Sequence, residues 1–186
     1  MINYTGTKTI ETTRLILRRY EIIDADDMFN NWVTDSEVTK FWGWDPHKDI
    51  EETKSVLQDW LKEYVKSDYY HWVIIYRENA QAIGYIYLDE INEDEKTAAV
   101  HYLISRKYWN KGIMTEVCKS VLSFAFTEMK LEKIKSRHYI DNSASGRVMQ
   151  KCGMKLTGIA RRDFPDCERI SGEYCFYEIS KEEWSV

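Results

Sequence analysis

The chain has 186 residues, a formal net charge of −5 and 44% apolar residues, enough for one domain with a substantial core. Nucleic-acid-binding proteins are more often basic, so the charge argues against that class, and no stretch is long and apolar enough to span a bilayer. The cysteines form no Cys-x-x-Cys pair and the N-terminus lacks the apolar core of a signal peptide, so we expect a cytoplasmic protein with reduced thiols.

Hydrophobic periodicity and turn residues predict the elements of the first half. Asp24 and Asp49 stand where helix N-caps are expected, and Glu52 completes a capping arrangement with Asp49. Gly43 and Pro46 interrupt the chain after a short helical piece. In chain order, we predict a strand over 14–20, helices over 24–33, 35–41 and 49–64, and strands over 71–77 and 82–88 joined by a hairpin turn.

The stretch from Tyr108 to Val117, Tyr-Trp-Asn-Lys-Gly-Ile-Met-Thr-Glu-Val, joins a predicted strand over 97–105 to a predicted helix. Gly112 can adopt a positive φ and allow another group to approach the backbone closely. The first N–H groups of the helix would be unpaired at its positive end, and Lys111 adds charge, so the turn could bind phosphate or pyrophosphate. The stretch matches neither a P-loop nor a dinucleotide-binding fingerprint. An ordinary βα turn and an isolated nucleotide-binding site are the two alternative interpretations.

The second half continues with a predicted strand over 133–139, a helix over 144–151 ending at Gly153, and strands over 156–162 and 173–179 around a turn at Pro165-Asp166. Strands and helices are mixed, and a hairpin lies in the middle of the chain. This order predicts an α/β (α+β) protein with a mixed sheet and helices on both faces.

Three segments resemble the GNAT superfamily of N-acetyltransferases, and most closely its RimJ/RimL-like branch, which is related to the ribosomal-protein N-acetyltransferases. Residues 109–116 resemble the pyrophosphate-binding motif, residues 12–18 the opening strand, and residues 142–154 the Asn-x-x-Ser … Lys-x-Gly-Phe segment. They occur in the family's order and span nearly the whole chain. In the general motif Gln/Arg-x-x-Gly-x-Gly/Ala, Trp109 and the bulkier Met114 replace the first and last residues.

The resemblance implies a single GNAT domain over residues 1–186. Its sheet would be mixed and mostly antiparallel, with about seven strands, two of which splay apart around the cofactor. It also implies acetyl-CoA-dependent transfer to a primary amine, directly in a ternary complex and without a metal. The acceptor would be a protein N-terminus or a small molecule, because fold and motif do not choose between them. We expect a monomer or homodimer.

The resemblance also assigns residue roles. The backbone of Leu103 and Ile104 would pair with the pantetheine arm, Asn142 would hydrogen-bond that arm, and Ser145 would lie near the sulfur as a leaving-group acid. The implied cofactor-binding set is Leu103, Ile104, Asn110, Lys111, Gly112, Ile113, Met114, Thr115, Asn142 and Ser145.

Two further predictions concern catalysis and the acceptor. The tyrosine acid and glutamate base of some relatives are replaced by Met149 and Arg137. We therefore predict Ser145 and Asp163 as the catalytic pair, although Asp163 could equally be an edge charge and water could take the proton. Trp42, Trp44, Tyr85 and His101 are the candidate acceptor-binding residues, and each could instead be structural. Because the acid/base pair is absent and Met114 is bulky, a catalytically silent acyl-CoA-binding module remains an alternative.

Overall fold

The structure, a computed structural model, describes residues 1–165 and 167–184. Its strands are β1 (Ile10–Glu11), β2 (Leu15–Arg18), β3 (Tyr70–Tyr76), β4 (Gln81–Asn92), β5 (Thr97–Ile104), β6 (Lys133–Tyr139), β7 (Lys155–Arg162) and β8 (Gly172–Ser180). Its α-helices are α1 (Asp24–Met28), which continues as a π-helical turn over Phe29–Val33, α2 (Ser36–Thr39), α3 (Ile50–Glu63), α4 (Ile113–Thr127) and α5 (Ser143–Lys151). Asp166, part of the predicted turn, lies outside the described residues.

The eight strands form one sheet in the order β1-β2-β3-β4-β5-β6-β8-β7. Neighbouring strands pair antiparallel except at β5 and β6, which pair in parallel near the centre. The prediction of a mixed, mostly antiparallel sheet is confirmed. The two-residue β1 is the strand beyond the predicted seven, since it is too short to show a hydrophobic period.

Helices cover both faces of the sheet, as predicted. On one face, α4 packs against strand residues such as Trp72 and Val100 through Val117 and Val121. On the other face, α1 and α3 pack against a cluster that includes Tyr85 and Leu103. Burial of these apolar faces on a common sheet fixes where α4 and α5 begin, and both helices begin beside the open end of β5.

Two of three predicted helix-end residues have their expected roles. Asp49 accepts the backbone N–H of Glu52 at 2.8 Å, and Gly153 follows α5 with a φ of +84°. Asp24 was wrongly predicted as an N-cap, because that position is occupied by Ile23. The buried Asp24 carboxylate instead pairs with the guanidinium of Arg18 at 2.8 Å, which compensates the burial of its charge.

All four cysteines are free thiols, as expected from the sequence. In the part of the chain that the structure describes, no helix has the length and apolarity needed to cross a membrane.

Candidate active site

A V-shaped opening lies between β5 and β6. The two strands pair only from Thr97 to Ala99, and beyond that point the Ser136 hydroxyl donates to the Val100 carbonyl at 2.8 Å. Backbone N–H and C=O groups alternate sides along a strand, so those of Tyr102 and Ile104 point to the same side as the Val100 carbonyl. At that level β6 has diverged, and no strand pairs with β5. This free edge can pair with an extended ligand that carries amide groups.

The alternation of backbone groups along β5 also determines which way the backbone of Leu103 points. Ser105 donates its N–H to Ile83 on β4 at 2.8 Å, so Leu103, two residues before it, also directs its backbone groups to β4. Its side chain is buried on the face covered by α1 and α3. The geometry therefore favours Tyr102 and the N–H of Ile104 over Leu103 as the backbone groups offered to a ligand, since the Ile104 carbonyl already accepts from Trp109 Nε1 at 2.9 Å.

The predicted strand-to-helix junction lies at the mouth of this opening. Gly112 caps α4 with a φ of +70°, a left-handed conformation that side chains disfavour. The first backbone bond of the helix runs from the Glu116 N–H to the Gly112 carbonyl at 3.1 Å, so the N–H groups of residues 113–115 precede the helical ladder. The large Met114 side chain is buried in the core and leaves these groups accessible.

Glu116 ties the start of α4 to the turn between β1 and β2. Its carboxylate accepts hydrogen bonds from the Thr12 hydroxyl at 2.6 Å and from Arg14 Nε at 2.7 Å. Partial burial raises the pKa of Glu116, but the hydrogen bonds from Thr12 and Arg14 outweigh it and lower the net pKa below its ordinary value. The negative charge of this group near neutral pH therefore keeps the helix terminus fixed. The Arg14 guanidinium also donates to the Lys111 carbonyl at 3.1 Å.

The start of α5 forms the opposite wall. Asn142 caps the helix by accepting the Ser145 N–H at 3.3 Å. The Ser145 hydroxyl donates to the Tyr102 hydroxyl at 3.1 Å, and that phenol donates to the Ser145 carbonyl at 3.0 Å. Burial raises the pKa of Tyr102 well above its ordinary value, so the phenol keeps its proton at neutral pH. Ser145 and Tyr102 thus form a pair of neutral hydroxyl groups inside the opening.

These walls enclose a cleft of about 490 Å³. Arg147 and Lys151, on α5, are basic residues of its lining that pair with no carboxylate among the described residues; Arg147 donates only to the Ser143 hydroxyl at 3.1 Å. The predicted cofactor-binding residues that line the cleft are Leu103, Ile104, Asn110, Gly112, Ile113, Met114, Thr115, Asn142 and Ser145. Lys111 lies beside the cleft, with its ammonium 5.4 Å from the centre of the Tyr108 ring.

A second cavity, of about 630 Å³, lies next to the cleft and shares Trp42 with it as a lining residue. Of the predicted acceptor residues, Trp44 and Tyr85 line this second cavity. His101 lies behind its wall, with its ring stacked on Tyr87 at 5.0 Å between centroids and Nε2 at 2.9 Å from Asp89. Three of the four candidates therefore face a common space.

Asp163 is not brought to either cavity. It is exposed beyond the end of β7, and its carboxylate pairs with Arg161 at 2.9 Å. The register of β7 shifts between Leu156 and Gly158, and the strand is exposed along nearly its whole length. The alternative prediction, an edge charge, describes its position.

Three residues of the cleft, Tyr102, Arg147 and Lys151, have no role assigned from the sequence. Arg169, for which the sequence leaves open a solvated charge or a contact to an acidic substrate group or the 3′-phosphate of the cofactor, lines neither cavity and donates to the carbonyls of Trp42 and Trp44 at 3.0 and 2.9 Å. Tyr102 precedes the predicted Leu103 by one residue, and Arg147 and Lys151 follow Asn142 on the same helix, so proximity to the motif was the available signal. Arg169 contacts residues more than 120 positions away, and no local pattern indicates that.

Known proteins are similar to this chain in sequence and fold. The profile of the acetyltransferase (GNAT) domain matches residues 14–155. The uncharacterized N-acetyltransferase YoaA of Bacillus subtilis (strain 168) is 31% identical over 153 residues, covering 82% of this chain and 86% of YoaA. An acetyltransferase (GNAT family) from Bacillus anthracis superposes with a TM-score of 0.81 at 25% identity, covering 94% of this chain and 99% of that one.

The ribosomal-protein-S5-alanine acetyltransferase from Vibrio fischeri superposes with a TM-score of 0.78 at 17% identity, covering 96% of this chain and 100% of that one, and shares the fold. The matched profile covers most of the chain, including the junction at Gly112 and the start of α5. The chain therefore belongs to the GNAT family of N-acetyltransferases.

Proposed function

We propose that this protein transfers the acetyl group of acetyl-CoA to a primary amine, directly and within a ternary complex. The observation that carries the proposal is a pair of neighbouring cavities that share Trp42 as a lining residue. One offers a free strand edge, helix N–H groups and unpaired cations, and the other offers a separate entrance for an acceptor. The four free thiols support a cytoplasmic location.

The residues of the cleft fit CoA. The N–H groups at the start of α4 suit a pyrophosphate, and Arg147 and Lys151 supply positive charge that has no carboxylate partner among the described residues. The free edge at Tyr102 and Ile104 suits the amides of the pantetheine arm. When bound, acetyl-CoA would supply a thioester, and its reaction with the neutral amine would give an amide and a free thiol.

We propose that Ser145 and Tyr102 act on the thiolate leaving group. Both hydroxyls line the cleft and are bonded to each other. The Ser145 hydroxyl can rotate so that its proton points to a thiolate. The Tyr102 phenol can then donate its own proton to Ser145 Oγ, and the two hydroxyl groups stay hydrogen-bonded. We propose Ser145 as the donor, whose hydroxyl regains a proton from the attacking nitrogen as the amide forms, and Tyr102 as the residue that positions it. An acceptor ammonium would lose its proton to water before attack.

The two unpaired cations give a prediction. Arg147→Gln and Lys151→Gln are each expected to weaken acetyl-CoA binding by about three- to tenfold at low salt, since each removes a partly exposed charge contact. The loss should shrink as ionic strength rises, because salt screens such contacts. Lys62→Gln is the matched control, since Lys62 pairs with Asp59 on α3, away from the cleft. Calorimetric Kd values unaffected by either cleft substitution would contradict these roles.

The activity is tested by following CoA thiol release with a panel of primary amines and N-terminal peptides. We expect release above the background without acceptor, together with a mass increase of one acetyl group on the amine. A protein that binds acetyl-CoA but releases no thiol with any acceptor would instead be a silent acyl-CoA-binding module.

A further inference from the structure

The second cavity has an unusual composition for a space beside a catalytic cleft. It is bounded by the loop that carries Trp42 and Trp44, the end of α3, the start of β3 and the second half of β4, and Trp and Tyr make up half of its lining residues. Four carboxylates line it, whereas no Lys or Arg does so among the described residues. Aromatic faces and carboxylates both attract cations, so the cavity suits a positively charged organic ligand.

The rings form a connected wall that leads away from the cleft. Trp42 lies 5.5 Å from Tyr85 and 6.4 Å from Tyr87, measured between ring centroids, and Trp60 lies 6.0 Å from Tyr85 on the far side. Tilted and edge-on contacts of this kind leave ring faces available to a methylene chain or an ammonium group. The wall therefore suits an elongated ligand that has an apolar chain and whose reacting amine lies at Trp42.

Two of the four carboxylates are already neutralised. Glu63 pairs with Lys66 at 2.5 Å, and Glu90 pairs with Arg137 at 2.9 Å. Asp68 pairs with no basic side chain among the described residues, and the ion-pair contact of Asp89 is with His101 rather than with a Lys or Arg. Asp68 and Asp89 thus line the cavity as carboxylates with no Lys or Arg partner among the described residues.

A buried polar atom provides an independent indication. His71 lines the cavity and is almost wholly buried, with Nδ1 bonded to the Tyr69 hydroxyl at 3.0 Å and Nε2 without a partner among the described residues. Burial lowers the pKa of His71 to about 3, so the ring is neutral at neutral pH. In the tautomer that donates from Nδ1 to Tyr69, Nε2 is a buried acceptor with no partner among the described residues.

We infer that the second cavity binds a linear aliphatic di- or polyamine as the acetyl acceptor. This inference rests on the proposed function, and it narrows the acceptor from any primary amine to one that carries at least one further ammonium group. The alkyl chain would lie along Trp42, Tyr85 and Tyr87. The distal ammonium would meet Asp68 or Asp89. A protein N-terminus brings a single ammonium followed by neutral amides, and it matches two uncompensated carboxylates less well.

The test compares two acceptors of equal length, 1,6-diaminohexane and n-hexylamine, which differ in the distal ammonium. The wild-type protein is expected to have a kcat/KM at least about tenfold higher for the diamine. Asp68→Asn with Asp89→Asn should bring that ratio to within about threefold of unity, since exposed and half-exposed charge contacts are modest individually. Asp94→Asn, on the exposed turn after β4 and outside the cavity, should leave the ratio unchanged.

A diamine-to-hexylamine kcat/KM ratio near unity in the wild-type protein would overturn the inference while leaving the transferase intact. A ratio that the double substitution does not change would do the same. So would kcat/KM values for N-terminal peptides higher than that for the diamine. Calorimetry with 1,6-diaminohexane and CoA-loaded protein separates the two ideas. Diamine binding that depends on Asp68 and Asp89, without thiol release for any acceptor, would support the binding site and contradict the proposed transfer.

Discussion

Ser145→Ala is expected to lower kcat about 100-fold while the Kd of acetyl-CoA stays within about twofold, because the substitution removes a proton donor that acts on the leaving group. Tyr102→Phe should lower kcat less, by about tenfold, since Ser145 would remain but lose its hydrogen-bond partner at 3.1 Å. Steady-state kinetics with acetyl-CoA and a saturating amine, together with calorimetric Kd values, measure both effects.

Ser120→Ala is the control for the loss of a helical serine hydroxyl, since Ser120 bonds within α4 to the Val117 carbonyl at 2.8 Å. It should leave kcat unchanged. An unaltered kcat in Ser145→Ala would remove Ser145 from the mechanism. A rise in Kd as large as the fall in kcat would assign it to binding instead.

Gly146→Ala is expected to weaken acetyl-CoA binding about tenfold and to lower Tm by about 5 °C. A Cβ at Gly146 would lie 2.5 Å from His138 Nε2 on β6, so α5 must move away from the sheet. Overpacking of this kind costs about 1–3 kcal/mol, and each kcal/mol shifts Tm by about 2–4 °C in a domain of this size. The movement carries Asn142 and Ser145 with it, because both lie at the start of α5.

Gly158→Ala is the matched control, because a Cβ at Gly158 on β7 meets no atom within 4 Å. It should leave both Tm and Kd unchanged. If Gly146→Ala also changed neither quantity, the close contact with His138 would not determine the position of α5.

The parts of the site that follow from local chemistry could be predicted from the sequence. Gly112 is needed because the chain turns there with a positive φ, and Asn142 is a cap whose side chain accepts a nearby N–H. The periodicity of α4 places its first turn directly after that glycine. Such features depend on residues within one turn of each other, so a single sequence carries them.

The parts that depend on the sheet could not be predicted in the same way. Tyr102 and Ser145 are 43 residues apart and meet only because β5 and β6 diverge. Asp163 is predicted as the nearest carboxylate on the strand after α5, and its position relative to the cleft depends on the place of β7 at the edge of the sheet, which no local pattern indicates. The second cavity joins residues from α3, β3 and β4, and its unpaired Asp68 is an ordinary surface charge in the sequence.

The most direct test of the account is a calorimetric titration of the protein with acetyl-CoA, with ATP as the control. We predict saturable binding of acetyl-CoA at one site and none of comparable affinity for ATP. At about a hundred times its Kd, acetyl-CoA should stabilise the fold by roughly 2.7 kcal/mol and raise Tm by about 5–10 °C. An absence of acetyl-CoA binding, or a preference for ATP, would contradict the assignment of the cleft between β5 and β6 to the acetyl donor.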